Sequence, residues 1–217
     1  MGNIFSLGLI GGWIAVVIIT AILFRKKWRS NKEIGRKIIH IGNGPVVLFA
    51  WYLEVPQNIA LTCSLVITIA LFCNHQLRLI GALEDINRKS FGTVCYGISI
   101  TIMLFFLWPH HAAAVSCGML VMAFGDGFAG LIGSSFKSYS WKILNQTKSI
   151  LGTSTMFLVS YMVLTIINNY SGFPLNLIQI LTITTFAVLC EQIGKWGLDN
   201  ITVPLIVAFS WAFFQGA

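Results

Sequence analysis

Residues 111–133 read HAAAVSCGMLVMAFGDGFAGLIG. Every position in this run is apolar, small or neutral except Asp126, near its end, and His111 at its start. A helix needs about 20 such residues to cross the hydrocarbon core of a bilayer, and this run is long enough. A carboxylate inside a membrane segment is costly and by default marks a functional site. The same stretch therefore predicts a membrane helix and a site close to its end.

Outward from this run the chain keeps the same character. Hydrophobic residues make up 56% of the 217 and charged residues only 10%, with a mean hydropathy of +0.81. That balance belongs to integral membrane proteins. Further apolar segments lie near 4–24, 38–53, 57–73, 93–109, 152–169, 175–190 and 201–215, so about seven or eight transmembrane helices are expected. Gly42, Gly44 and Pro45 interrupt the second, which is expected to bend or to tuck against its neighbours. The loops are too short for a soluble domain. The expected fold is all-α and polytopic, with residues 1–217 forming a single membrane-embedded domain.

All 14 Lys and Arg fall between alternate segments, within 25–37, 78–89 and 137–148 and at Lys195. By the positive-inside rule these loops are cytoplasmic and the N-terminus is outside. The net charge of +7 is then a matter of topology and of contact with anionic lipid, and calls for no nucleic acid. The first segment is longer than a signal-peptide core and its charges follow it, so it reads as a retained helix. The five cysteines lie in or beside apolar segments without a CxxC pair and read as small buried residues.

With that topology the unusual polar residues collect on one side. Arg36, Lys37 and His40 begin the second segment, Arg78 and Glu84 lie after the third, and Asp126 closes the fifth. Lys148, Ser149, Gly152 and Thr153 open the sixth, and Glu191, Asp199 and Asn200 bracket the last turn. Every acid except Glu54 is on the cytoplasmic face. A transporter concentrates polar residues near the midplane; these describe a shallow site at the water–lipid boundary. Phosphoryl transfer between a nucleotide and a membrane-resident alcohol has to happen there. It needs carboxylates for Mg²⁺, cations for the phosphate oxygens and close backbone approach. Asp126, Glu191 and Asp199 supply the first, Arg36, Lys37 and Lys148 the second. Gly125, Gly127, Gly133 and Gly152 supply the third.

Each piece also has a plainer reading. The glycines around Asp126 serve helix packing equally well, and Arg36 and Lys37 are suited to snorkelling. Glu191 and Lys195 are spaced as an exposed helical pair, and Thr153 could cap the sixth helix. His40 reads as a packed histidine or as a supporting site residue. No phosphate-binding G-x-x-x-x-G-K-[ST], protein-kinase or HExxH pattern occurs.

Taken in order, the motifs resemble those of the CTP-dependent polyprenol and lipid kinases, the family of phytol kinase, dolichol kinase and the CTP-using diacylglycerol kinase. The resemblance spans roughly residues 33–205. It rests on Arg36-Lys37-Ile38-Ile39-His40 and on Gly125-Asp126 continuing through Ala129 to Gly133. Lys148-Ser149-Ile150-Leu151-Gly152-Thr153 and Glu191 with Asp199-Asn200-Ile201-Thr202-Val203-Pro204 complete it. The short chain is most similar to the phytol kinase branch. The resemblance implies transfer of the γ-phosphate of CTP, with Mg²⁺, to an isoprenoid alcohol, most simply phytol, on the way to tocopherol or phylloquinone. It also implies a bacterial inner or thylakoid-type membrane. Asp126, Glu191 and Asp199 would be catalytic, with Asp126 and Asp199 holding the metal. Arg36, Lys37, Gly125, Gly127, Gly133, Lys148, Ser149, Gly152, Thr153 and Asn200 would bind the nucleotide, supported by His40, Arg78 and Glu84. A diacylglycerol kinase, another polyprenol kinase or a lipid cytidylyltransferase is the nearest alternative, and a small anion transporter the alternative from another class.

Overall fold

The computed structural model describes residues 3–27, 33–77 and 91–216. The first helix, α1 (Asn3–Lys27), carries no charge until its basic last turn of Arg25, Lys26 and Lys27. Those cations sit where the helix dipole favours them. The second apolar segment is not one span. It folds as α2 (Glu33–Asn43) and α3 (Val46–Tyr52), broken at Gly44-Pro45. Proline has no N–H to continue the helix ladder. A Cβ on Gly44 would lie 2.6 Å from the Ala123 Cβ, so only glycine lets the break press against the neighbouring helix. Arg36 and Lys37 therefore ride on a helix instead of lying in a loop.

The segments that follow are α4 (Gln57–Leu77) and α5 (Gly92–Leu107). The run that opened the sequence analysis forms one continuous rod over Ala112–Ser135. It consists of α6 (Ala112–Leu120), a π-helical stretch (Val121–Asp126) and α7 (Gly127–Ser135). A hairpin of β1 (Ser140–Ile143) and β2 (Gln146–Ser149) intervenes before α8 (Ile150–Tyr170), α9 (Leu177–Gln192) and α10 (Asp199–Phe214). The architecture is helical, as expected. The hairpin falls where sequence reading saw only a basic linker. Its antiparallel register pairs Ser140 with Ser149 and Ile143 with Gln146. Leu144 and Asn145 close it with φ of 49° and 66°, the backbone a tight two-residue hairpin turn requires.

Burial separates centre from periphery. All nine residues of α6 are buried, and 67% of the most apolar window of that rod is buried, against 11% in both α1 and α4. A helix apolar all round belongs in a core, and this one sits between α10, α8, α5 and α3. Small residues allow the close approach. A Cβ on Gly118 would meet the Pro204 carbonyl oxygen at 2.5 Å, the kind of contact that membrane helices use in place of hydrophobic squeezing. The outer faces of α1 and α4 are greasy and exposed, with Ile4 at 88% and Val66 at 61%, as a lipid-facing surface should be.

Among the described residues four helices are long and apolar enough to cross a membrane: α1, α4, the α6–α7 rod and α8. Helices α5, α9 and α10 are apolar but shorter, rising only about 24 Å each. The cysteines are free, but only Cys95 and Cys117 are buried. Cys73 is exposed, because it faces outward from α4.

Candidate functional site

Four chain segments converge at the end of the bundle where α7, α9 and α10 begin or end. The π-helical stretch ends on Asp126. A π turn adds a residue per turn and so rotates the faces of the helix that follows; such turns cluster at functional sites. Its packing fixes that rotation. A Cβ on Gly125 would meet the Met156 sulfur at 2.7 Å, and one on Gly127 would meet Ile41 Cγ1 at 2.5 Å. Gly127 thus lets α2 press against the rod and bring His40 to Asp126. The His40 Nε2 lies 3.6 Å from an Asp126 carboxylate oxygen. It is also 3.1 Å from the Met122 carbonyl oxygen, which can only accept, so this nitrogen carries a proton.

The hairpin delivers Lys148. Its ammonium pairs with the Glu191 carboxylate and donates to the Glu191 carbonyl oxygen at 2.7 Å. Glu191 is 7% exposed; a charge so enclosed needs a partner. The alternative exposed pair of Glu191 with Lys195 is therefore not formed. Helix α9 ends at Gln192, and the Lys195 ammonium lies 4.3 Å over the Trp196 ring. Gln192 ties the corner together, donating to Glu191 Oε2 at 3.0 Å and to Thr153 Oγ1 at 2.9 Å. Thr153 is not a cap: Ser149 is, its Oγ accepting from the Gly152 amide at 3.2 Å. The glycines stack closely here, for a Cβ on Gly133 would stand 3.2 Å from Gly152 Cα.

Helix α10 starts with the remaining acid. The Asp199 Oδ1 accepts from the Asn200 amide at 3.1 Å, and Asn200 Nδ2 donates to the Gly92 carbonyl at 3.0 Å. Asp126 and Asp199 lie within electrostatic reach of each other and of Lys148, and Asp126 also feels Arg36 and Lys37.

These groups line one end of a cavity of about 1750 Å³. Arg36, Lys37, His40, Asp126, Gly127 and Gly133 reach it from one side. Lys148, Ser149, Gly152, Thr153, Glu191, Asp199 and Asn200 reach it from the other. Gly125 does not; it packs against Met156 and Ser160 instead. Arg78 and Glu84 lie outside the described residues. Four lining residues escaped sequence reading. Tyr96 and Asn43 each present a buried oxygen with no hydrogen-bond partner among the described residues. Gln146 and Thr147 reach the cavity only because the hairpin folds over it. A Tyr in an apolar helix and an Asn before a glycine carry no pattern that distinguishes them from packing residues.

Whether this end suits Mg²⁺ can be judged from its donors. No group of three or more His, Cys, Asp and Glu that could hold a metal occurs among the described residues. Mg²⁺ commonly takes only one or two carboxylates, with substrate phosphates and water completing the shell. Asp126 and Asp199 lie close enough to repel each other, and the buried Asn200 Oδ1 has no hydrogen-bond partner among the described residues. This hard, all-oxygen set fits the ion.

Away from that end and from the hairpin the cavity is lined mainly by apolar side chains, together with Ser64 and Thr68 of α4. It runs between α1, which presents Leu7, Ile10, Ile14 and Ile18, and α4, which presents Ala60, Cys63, Ile67 and Leu71. A charged head and a greasy tail thus share one space.

No protein-family model matches the chain, and no solved structure matches it. It is 34% identical over 214 residues to a phytol kinase of Synechocystis sp., covering 95% of this chain and 91% of that protein. Over 204 residues it is 23% identical to a protein of Triticum aestivum named "Probable phytol kinase, chloroplastic", covering 82% of this chain and 67% of that one. With such identity across nearly the whole length of both proteins, the chain belongs to the phytol kinase family.

Proposed function

We propose that this protein transfers the γ-phosphate of CTP to the hydroxyl of phytol. One observation carries the reading: the cavity joins a cluster of carboxylates and cations to an apolar groove. A nucleotide stays in water and an isoprenoid alcohol stays in lipid, so a shared cavity lets them meet.

In this reading Arg36, Lys37 and Lys148 hold the triphosphate. Lys148 spends two of its three donors on Glu191 and offers the third to a phosphate oxygen. Glu191 acts by positioning that lysine. Asp126 and Asp199 would hold Mg²⁺, which would draw negative charge from the phosphate oxygens. The alcohol oxygen attacks the γ-phosphorus and the bond to the β-phosphate oxygen breaks. CDP leaves, and the hydroxyl proton passes to Asp126, whose carboxylate faces the His40 N–H. The transition state is loose, so positioning matters more than base strength. The Ser149–Thr153 turn contributes backbone to the phosphate pocket, although the Gly152 amide is already bonded to Ser149 Oγ.

The same reading sets the protein in a membrane as a multi-pass chain of seven or eight segments, counting the shorter apolar helices α5, α9 and α10. The N-terminus is outside and the polar end of the cavity faces the cytoplasm. The alternating placement of Lys and Arg supports that orientation. Product of this chemistry would supply phytyl diphosphate synthesis for tocopherol or phylloquinone.

The test uses purified protein in detergent with Mg²⁺, γ-labelled CTP or ATP, and phytol, farnesol, dolichol or diacylglycerol as separate acceptors. Labelled phytyl phosphate from CTP supports the proposal. Label in diacylglycerol alone, or release of pyrophosphate with a CDP-lipid product, would replace it.

A further inference from the structure

We infer that the acceptor lies with its tail in the slot between α1 and α4, entered sideways from the bilayer, and with its hydroxyl held by Tyr96. The inference rests on the proposed function and adds where the lipid binds and which residues measure it.

The slot follows from what packs and what does not. Helix α1 packs on α2 and α3, and α4 packs on α5, yet α1 and α4 form no extended contact with each other. Both nevertheless line the cavity, α1 through Leu7, Ile10, Ile14 and Ile18. That spacing of three and four residues is one helical face, and Leu7 to Ile18 amounts to about 16 Å of rise. Two largely apolar faces set apart from one another leave room for an aliphatic chain.

The head of the slot is marked by Tyr96. Its Oη is buried without a hydrogen-bond partner among the described residues, and such a group is costly unless something satisfies it. The ring stands edge-on to His40, with centroids 5.6 Å apart. It sits one turn along α5 from Gly92, the residue that Asn200 grips. Tyr96 thus lies at the seam between the charged end and the apolar slot. An alcohol oxygen there accepts from Tyr96 and donates toward Asp126.

The far end is a rigid floor. Val55 and Leu104 are 5% and 4% exposed. The Val55 carbonyl accepts from Trp108 Nε1 at 2.9 Å, and the Leu104 carbonyl accepts from Gln57 Nε2 at 3.0 Å. Ala60 lines the same end, and its small side chain leaves space for the last isoprene unit. A larger residue at 60 should shorten the accepted alcohol.

The experiment has two arms. In the first, kcat/KM for phytol and for the shorter farnesol is compared in wild type, Ala60→Phe, Tyr96→Phe and the outward-facing control Val66→Phe. Ala60→Phe should lower the phytol-to-farnesol ratio by about ten-fold or more, since the terminal unit loses its apolar contact. Tyr96→Phe should raise KM for both alcohols alike and leave KM for CTP unchanged, and Val66→Phe should leave the ratio alone. In the second arm a phytol bearing a diazirine near its tail end is photolysed on wild-type protein, and the adducts are mapped by mass spectrometry. Adducts on α1 and the start of α4 support the slot without any need for turnover. Adducts confined to other surfaces, or an unchanged ratio in a folded Ala60→Phe, overturn it. Absence of phosphorylation with adducts still in the slot would remove the kinase reading and leave the binding site standing.

Discussion

The Lys148–Glu191 pair offers the most demanding test of the site. Both side chains are almost enclosed, at 12% and 9% exposure. Replacing Lys148 by Met removes the ion pair and the bond to the Glu191 carbonyl, and leaves a buried carboxylate that, among the described residues, keeps only the Gln192 amide as a side-chain partner. Stranding one partner of a buried pair costs about 3–5 kcal/mol. Glu191→Gln keeps an oxygen for Lys148 and loses the charge, which should cost about 2 kcal/mol, the scale of a hydrogen bond to a charged group. The double variant removes both charges, so it should be more stable than the two losses added together. Groups in direct contact couple by up to about 3 kcal/mol. Unfolding of all four proteins in mixed micelles, by titration with a denaturing detergent, gives this cycle directly. Activity separates the roles: Lys148→Met and the double variant should both lose at least about 100-fold in kcat/KM, a drop equivalent to about 2.7 kcal/mol of transition-state stabilisation. Additive stabilities would refute the pairing. A double variant with near-normal turnover would refute the assignment of Lys148 to phosphate.

Three further outcomes follow from the geometry. Asp126→Asn keeps size and shape at a side chain 30% exposed; it should unfold within about 1 kcal/mol of wild type, as substitutions outside a tight network do, while turnover is abolished. Near-normal turnover would sink the site. Gly127→Val would drive a side chain into Ile41, already 2.5 Å from a single added carbon. It should lose about 1–3 kcal/mol through overpacking and activity with it, whereas Gly172→Ala, with open space around it, should change neither. In a cysteine-free background, Lys142→Cys in the exposed hairpin should react with an impermeant maleimide only from the cytoplasmic side, and His110→Cys only from the other. Labelling of both from one side would overturn the proposed orientation.

Much of the architecture was legible because hydrocarbon imposes simple rules. An apolar run must be helical to satisfy its own backbone, so spans over α1, α4, the α6–α7 rod and α8 could be read from composition. Gly44-Pro45 announced a break in the second segment, because proline removes a donor wherever it stands. The hairpin was invisible: Ser140–Ile143 and Gln146–Ser149 are short and mixed in polarity, with no alternation strong enough to mark a strand. Ser149 was read as a nucleotide ligand; in the structure it caps α8. That was foreseeable from its position before α8, since serine is a favoured cap.

Sequence by itself determined which residues carry charge in an otherwise apolar chain, and at which end of the helices they fall, since local hydropathy and the positions of Lys and Arg need no folding to be read. Tertiary structure alone decided the pairings. Glu191 could bond to Lys195, four residues away, yet it joins Lys148 across the fold, because α9 ends at Gln192 and the hairpin brings the lysine in. Tyr96 looked like any aromatic residue of a membrane helix until packing left its hydroxyl buried beside His40, with no hydrogen-bond partner among the described residues. Such choices depend on which surfaces lie opposite one another after the helices pack, and no periodicity along a single chain records that.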